Sequence, residues 1–321
     1  MYLINLSNFK SRLDWFSDFS GGLSAFLKEH QLDGIELILF EDEIGVPKEL
    51  VKGLHLRYWP YWMDLWTGDT QALIRNLGDL EAAKRLYGGH GRESLVDRYR
   101  FELKKAVELE AQYMVFHVSH IGMHEVFTGD YAYTDEEIID ATIELVNEAF
   151  DVDVDIPLLF ENLWWPGLRL DKKELIERLF SGVRYKNKGL LLDVSHLSIA
   201  QGDVVDARSS LEAVKKVLDE LGALKQLIRG VHLNGSFPGD GLSRLQVHEV
   251  SPILDVDVNE RFKQIIHEIS KLDTHLPFHD EIAQEILGLI DPEFVVFEVL
   301  PKNLKELSDW ILMQNEFLKR P

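Results

Sequence analysis

The sequence contains no cysteine. That excludes disulfides, thiolate catalysis and thiolate metal ligation, so any metal must be held by His, Asp, Glu or water. No uncharged apolar run approaches the roughly 20 residues of a membrane helix. Met1-Tyr2-Leu3-Ile4-Asn5 reads as a first strand rather than as a basic leader before an apolar stretch, so a cytoplasmic protein without membrane association is expected. Basic residues are scarce: 34 Lys and Arg stand against 55 Asp and Glu, a formal charge of −21. A broad polyanion-binding face, built from clustered Lys and Arg, is therefore not expected, and extended nucleic-acid binding with it. A small metal-lined or locally basic pocket remains open; Arg57 and Arg244 are the basic residues that fall near its expected position. Glycine patterns of the Rossmann or P-loop type are also missing.

The chain has 321 residues, 45% hydrophobic and 28% charged, an ordinary globular composition. Short β-branched or leucine-rich runs at 2–6, 34–40, 51–56, 113–118, 157–162, 189–194, 228–234 and 294–299 alternate with stretches of helical period. Several are continuous apolar runs, such as Gly189-Leu190-Leu191-Leu192, as strands covered on both faces require. Thr134 and Glu137 form a capping box opening a helix over 135–150. Leu211, Val214, Val217, Leu218 and Leu221 stripe a helix that stops at Gly222, and Asn303 caps a last helix facing inward through Leu304, Leu307, Trp310 and Ile311. Strand then helix, repeated to eight, predicts an α/β fold, a (β/α)8 barrel forming one domain over 1–321. Two loops exceed a minimal barrel. Residues 57–98 carry Trp59, Tyr61, Trp62 and Trp66, and residues 235–256 follow the seventh strand; both are lid candidates.

Four of these runs end in a potential ligand: Glu161, Asp193, His232 and Glu298. One such residue alone reads as a helix cap or an ion-pair partner. Four, each after a buried-type run, converge only if the sheet closes, and then they surround a divalent ion. Zn, Mn, Mg, Co and Fe all suit such O/N ligation. His55 and His117 end the third and fourth strands, His196 follows Asp193 by three residues, and His248 lies in the loop after the seventh strand. His120 and His124 read as structural, and His30, His90, His267, His275 and His279 as outside the site.

These strand-end motifs resemble the xylose isomerase-like TIM-barrel superfamily, which includes sugar phosphate isomerases and epimerases and the endonuclease IV family. The resemblance rests on His55 followed by Tyr58, His117, Glu161-Asn162, Asp193-Val194-Ser195-His196, His232-Leu233-Asn234-Gly235-Ser236 and Glu298. It implies one metal on His55, His117 and Glu161 and a second on Glu161, Asp193, His232 and Glu298. The family's Asp-Arg-His motif would fall on Gln246-Val247-His248, which leaves only His196 and His248 for a third. One to two ions are thus expected.

The isomerase branch implies that Glu161 and Glu298 exchange a proton with a small carbohydrate or phosphorylated substrate at the metal, with His196 on the substrate. Asn162, Asn234, Tyr58, Trp59, Trp164 and Trp165 are candidate substrate contacts, and a homo-oligomer is compatible with this reading. The preferred expectation is a metal-dependent isomerase or epimerase. The alternatives are an endonuclease IV-like multinuclear phosphoesterase and a non-catalytic metabolite-binding barrel.

Overall fold

A computed structural model describes residues 1–246 and 257–318. Eight parallel strands close in sequence order: β1 (Tyr2–Ser7), β2 (Gly34–Ile38), β3 (Val51–His55), β4 (Tyr113–His117), β5 (Leu158–Glu161), β6 (Lys188–Asp193), β7 (Ile228–His232) and β8 (Phe294–Phe297). All eight expected strands are present, most of them one or two residues shorter at the carboxyl end, where the chain turns into the loops. Closure is made by β1 pairing with β8 through Leu3 and Val296.

The period of two in a strand divides the core. Leu3, Tyr113, Val115, Leu159, Leu191, Phe294 and Val296 pack together inside the barrel. Their alternating neighbours, such as Ile4, Met114, Leu158, Leu190 and Phe297, join the larger cluster with the surrounding helices. Carried to the carboxyl ends, the same alternation turns His117, Glu161, Asp193, His232 and Glu298 toward the barrel axis. The strand register sets them side by side, with His117 opposite Glu161 and Asp193 opposite His232.

The expected helices form with the expected caps. Thr134 and Glu137 make a reciprocal capping box on helix Asp135–Ala149, helix Ala207–Leu221 stops at Gly222, and Asn303 caps Leu304–Phe317. In that last helix Leu307 and Ile311 are buried, Gln314 joins them, and Leu304 and Trp310 are partly buried. The insertion after β3 folds into helices Trp62–Thr67, Thr70–Leu77 and Leu80–Tyr87 before the long helix Glu93–Glu108. No described helix is long and apolar enough to cross a membrane.

Candidate metal and active site

Glu161 ends β5 fully buried, and its two oxygens face opposite ways into a ring of imidazoles. Oε2 lies 3.2 Å from His55 Nε2 and 3.0 Å from His117 Nε2, while Oε1 lies 3.3 Å from both His196 Nδ1 and His232 Nδ1. His232 Nδ1 also approaches Glu298 Oε2 at 2.7 Å and Asp193 Oδ2 at 3.6 Å. Yet His232 Nδ1, Glu161 Oε1 and Glu298 Oε2 are buried with no aligned hydrogen-bond partner. Converging buried donor atoms that satisfy one another poorly are what a cation-binding cage requires, because lone pairs aimed at one point need a positive centre. The donor set, imidazole nitrogen and carboxylate oxygen, suits zinc and its neighbours.

Three groups in the described residues have ligand atoms within 4.8 Å of one another: His55, His117 and Glu161; Glu161, Asp193, His232 and Glu298; and His196, Asp273 and His275. The first two match the expected sets. The third is not among the expected sets, in which His196 is joined by His248, Gln246 stands in the carboxylate's position and His275 lies outside the site. Gln246 instead donates through Nε2 to Tyr131 Oη at 2.7 Å, and His248 lies outside the described residues. The carboxylate and imidazole come from Asp273-Thr274-His275, beyond helix Val258–Leu272. His275 Nε2 sits 2.8 Å from Asp273 Oδ2, and His196 Nε2 sits 3.7 Å from the same oxygen.

The loop that carries this pair is pinned to the residues after β7. Gly235 and Leu276 exchange backbone hydrogen bonds at 2.7 and 2.9 Å, and Ser236 Oγ accepts from Thr274 N at 2.8 Å. His275 adopts a left-handed backbone with φ of 45°, a conformation that costs about 1–3 kcal/mol in a non-glycine residue and persists where the surroundings impose it.

Backbone acceptors fix the rings. His55 Nδ1 donates to Leu56 O at 3.0 Å, His196 Nδ1 to Asn162 O at 2.9 Å and His275 Nδ1 to Glu298 O at 2.9 Å. A carbonyl can only accept, so each of these rings keeps Nε2 free for the carboxylates or a metal. Asp193 caps helix Val194–Gln201 through Oδ1, which accepts from His196 N at 2.7 Å, and turns Oδ2 toward Asn234 Nδ2 and the cage. It is thus both cap and candidate ligand.

The electrostatics follow from the pairing. Burial opposes protonation of His55, His196, His232 and His275, but the facing carboxylates prevail; His55 is pushed up to about 9, His275 to about 10, and the other two well above the ordinary value. Burial and the neighbouring His55 and His196 leave His117 lowered despite Glu161. Burial acts to raise Glu161, Glu298 and Asp273, and their imidazole neighbours hold all three below the usual carboxylate range.

The candidate substrate contacts divide. Trp164 lies over His196 at 5.0 Å with Trp165 beside it, and Tyr58 lies over His117 at 4.6 Å. Trp59 is buried between Tyr87 and Tyr99, and Trp62 Nε1 donates to Ser119 O at 2.8 Å, so these rings pack the insertion onto the barrel. Asn162 is occupied in bracing β6, donating to Asp193 O and accepting from Asp193 N, and Asn234 Oδ1 accepts from Ser195 N. Arg57 NH2 donates to Phe40 O and Arg244 pairs with Asp240, so both expected cations are engaged locally. His120 behaves as the structural histidine expected: burial holds it neutral, down to about 3, and Nδ1 accepts from Met63 N.

Glu36 was absent from the sequence reading. It lies within β2, fully buried, with Oε1 3.0 Å from His232 Nε2. The signal was a carboxylate inside an otherwise apolar strand.

With this geometry in view, a family model described as a xylose isomerase-like TIM barrel matches residues 26–304. The chain belongs to that family. Among solved structures, a D-tagatose 3-epimerase-like protein is 16% identical with a TM-score of 0.53, covering 99% of this chain and 97% of that one. Endonuclease IV from Thermus thermophilus is 19% identical with a TM-score of 0.50, covering 99% and 98%. A sugar phosphate isomerase/epimerase from Parabacteroides distasonis is 9% identical with a TM-score of 0.52, covering 98% and 93%. At such identities the likeness is one of fold. No curated protein matches the chain. Members of this family are mostly isomerases, epimerases or endonucleases, and the His, Asp and Glu clusters of this chain suit divalent metals.

Proposed function

We propose that the protein is a multinuclear metal-dependent phosphoester hydrolase of the endonuclease IV type. One observation carries the reading. Glu161 directs one oxygen to His55 and His117 and the other toward His232, while His196, Asp273 and His275 form a third set beside it. A carboxylate that serves two ligand sets on opposite sides is a bridge, and a bridge belongs to a cluster of ions. Divalent ions bound there supply Lewis-acid polarisation of a phosphoryl oxygen and a water that ionises near neutral pH.

The chain's own residues do the rest. His55, His196 and His275 are held in one tautomer by carbonyl acceptors, which removes reorganisation from the reacting state. Tyr58 and Trp164 pack against His117 and His196, and aromatic cover of this kind would limit bulk water at the reacting phosphorus. The acidic surface favours a phosphodiester that presents few phosphates at once over a long duplex footprint.

The isomerase reading keeps support from Glu161 and Glu298, both within 3.3 Å of His232 Nδ1 and able to flank one substrate carbon. It assigns no task to His55, His117, Asp273 or His275, and for that reason ranks second. Metal analysis of the purified protein, with phosphodiester hydrolysis assayed on an abasic duplex and on an activated small diester, tests the choice. Three ions per chain with cleavage of either substrate are expected. A single ion, no cleavage and solvent deuterium entering a ketose would overturn the proposal in favour of the isomerase.

A further inference from the structure

Unlike His55, His196 and His275, His232 faces no carbonyl. Its Nε2 lies 3.0 Å from Glu36 Oε1, and Glu36 Oε2 in turn accepts from Tyr113 Oη at 2.7 Å. All three side chains are fully buried inside the barrel. Glu36, Gly53 and Tyr113 are register partners across β2, β3 and β4. A Cβ on Gly53 would come within 2.3 Å of the Tyr113 ring, so it is the missing side chain in β3 that lets the phenol cross to Glu36. Tyr113 is held from the other side by stacking on Phe294 at 4.2 Å.

A carboxylate in this apolar interior is strongly destabilising unless its oxygens are satisfied. Glu36 has one donor on each oxygen, and both are placed by the sheet. The Nε2 hydrogen of His232 is therefore held on Glu36, and Nδ1, turned toward Glu161, Asp193 and Glu298, is the nitrogen at which a metal ion would replace a proton.

We infer that Glu36, oriented by Tyr113 across Gly53, is a positioning residue that fixes the ring and tautomer of His232 for metal binding. The inference rests on the reading that Glu161, Asp193, His232 and Glu298 hold a divalent ion. Partners of this kind typically change metal affinity by about 10–100-fold when removed.

The test uses zinc as the probe and the full chain. In zinc-loaded wild-type protein with ¹⁵N-labelled histidine, the His232 ring, assigned with His232→Gln, should keep its proton on Nε2 and show Nδ1 without a proton and bound to the ion. Glu36→Gln should weaken zinc binding in competition with a chelator by about 10–100-fold, while leaving zinc on His55, His117 and Glu161. Tyr113→Phe, a milder change should Glu36→Gln fail to fold, should weaken it by less than about 10-fold. In the zinc-loaded protein, a His232 proton on Nδ1 with Nε2 free of one, or unchanged zinc affinity in a folded Glu36→Gln protein, overturns the inference and leaves the metal reading intact. Wild-type protein that binds no zinc overturns both.

Discussion

Asp273 and Glu161 contribute differently to the same site, and substitution separates them. Asp273 joins only the set with His196 and His275, whereas Glu161 joins two. Asp273→Asn should therefore lower the metal content by one ion per chain. Glu161→Gln should disturb two sites at once and lower phosphodiester cleavage by at least the 10²–10³-fold typical of losing one transition-state contact, measured at saturating metal. Equal metal loss in the two variants would refute the bridging role. Glu161, Asp193, His232 and Glu298 were legible because each closes an apolar run, so that strand period and chain order alone bring them together. Asp273 and His275 were not, because helix Val258–Leu272 intervenes between β7 and this pair and no periodicity announces a loop that folds back. The socket was visible as His232-Leu233-Asn234-Gly235-Ser236, but its occupant was not. Glu36 escaped notice because a carboxylate inside a strand reads as a surface position until the barrel closes around it.

Helices Trp62–Thr67 and Thr70–Leu77 of the insertion are joined through Asp64, which accepts from Asn76 Nδ2 at 2.7 Å and from Tyr133 Oη at 3.1 Å. Burial pushes the Asp64 carboxyl up to about 6, although Asn76 and Tyr133 favour the charged form. A carboxyl whose folded pKa is raised contributes stability that is fully present below its unfolded pKa, near 4, and is lost as pH rises through about 6. Asp64→Asn should then gain on wild type between pH 4 and pH 7 by up to ~2–3 kcal/mol, less about 1 kcal/mol for a weakened hydrogen bond. Urea unfolding of both proteins at the two pH values measures the difference; a gain that grows toward acid would contradict the assignment. On helix Asp135–Ala149, Thr134→Ala removes the cap on Glu137 N and should cost about 1 kcal/mol at any pH in this range, by the same measurement. That cap could be read from the Thr134–Glu137 spacing alone. The three insertion helices could not be bounded in advance, since their tryptophans fit a packed insertion and a substrate lid equally well. The buried contacts of Trp59 and Trp62 favour packing for those two rings.

The closed barrel brings carboxylates and imidazoles from separate strands into one enclosed volume, so its stability is coupled to what occupies them. In metal-free protein the facing carboxylates draw protons onto His55 and His275, raised to about 9 and about 10. Those protonated imidazoles contribute stability that is present below their unfolded pKa, near 6.5, and is lost as pH rises through 9 to 10. A divalent ion replaces the protons and contributes RT ln(1 + [L]/Kd), about 2.7 kcal/mol at a hundredfold excess over Kd. Metal binding must therefore release protons, and affinity must rise with pH until the imidazoles are neutral. Stripping the protein with a chelator should lower Tm by several degrees without removing the helical and sheet signals, because Leu3, Tyr113, Val115, Leu159, Leu191 and Val296 still fill the barrel beneath the site. The gap in Tm between loaded and stripped protein should widen from pH 6 to pH 9, and calorimetry of zinc binding in buffers of different ionisation enthalpy should report proton release at pH 7. A gap that is constant with pH, with no buffer dependence, would mean that the imidazoles are already neutral and that the carboxylates are balanced by something other than these protons.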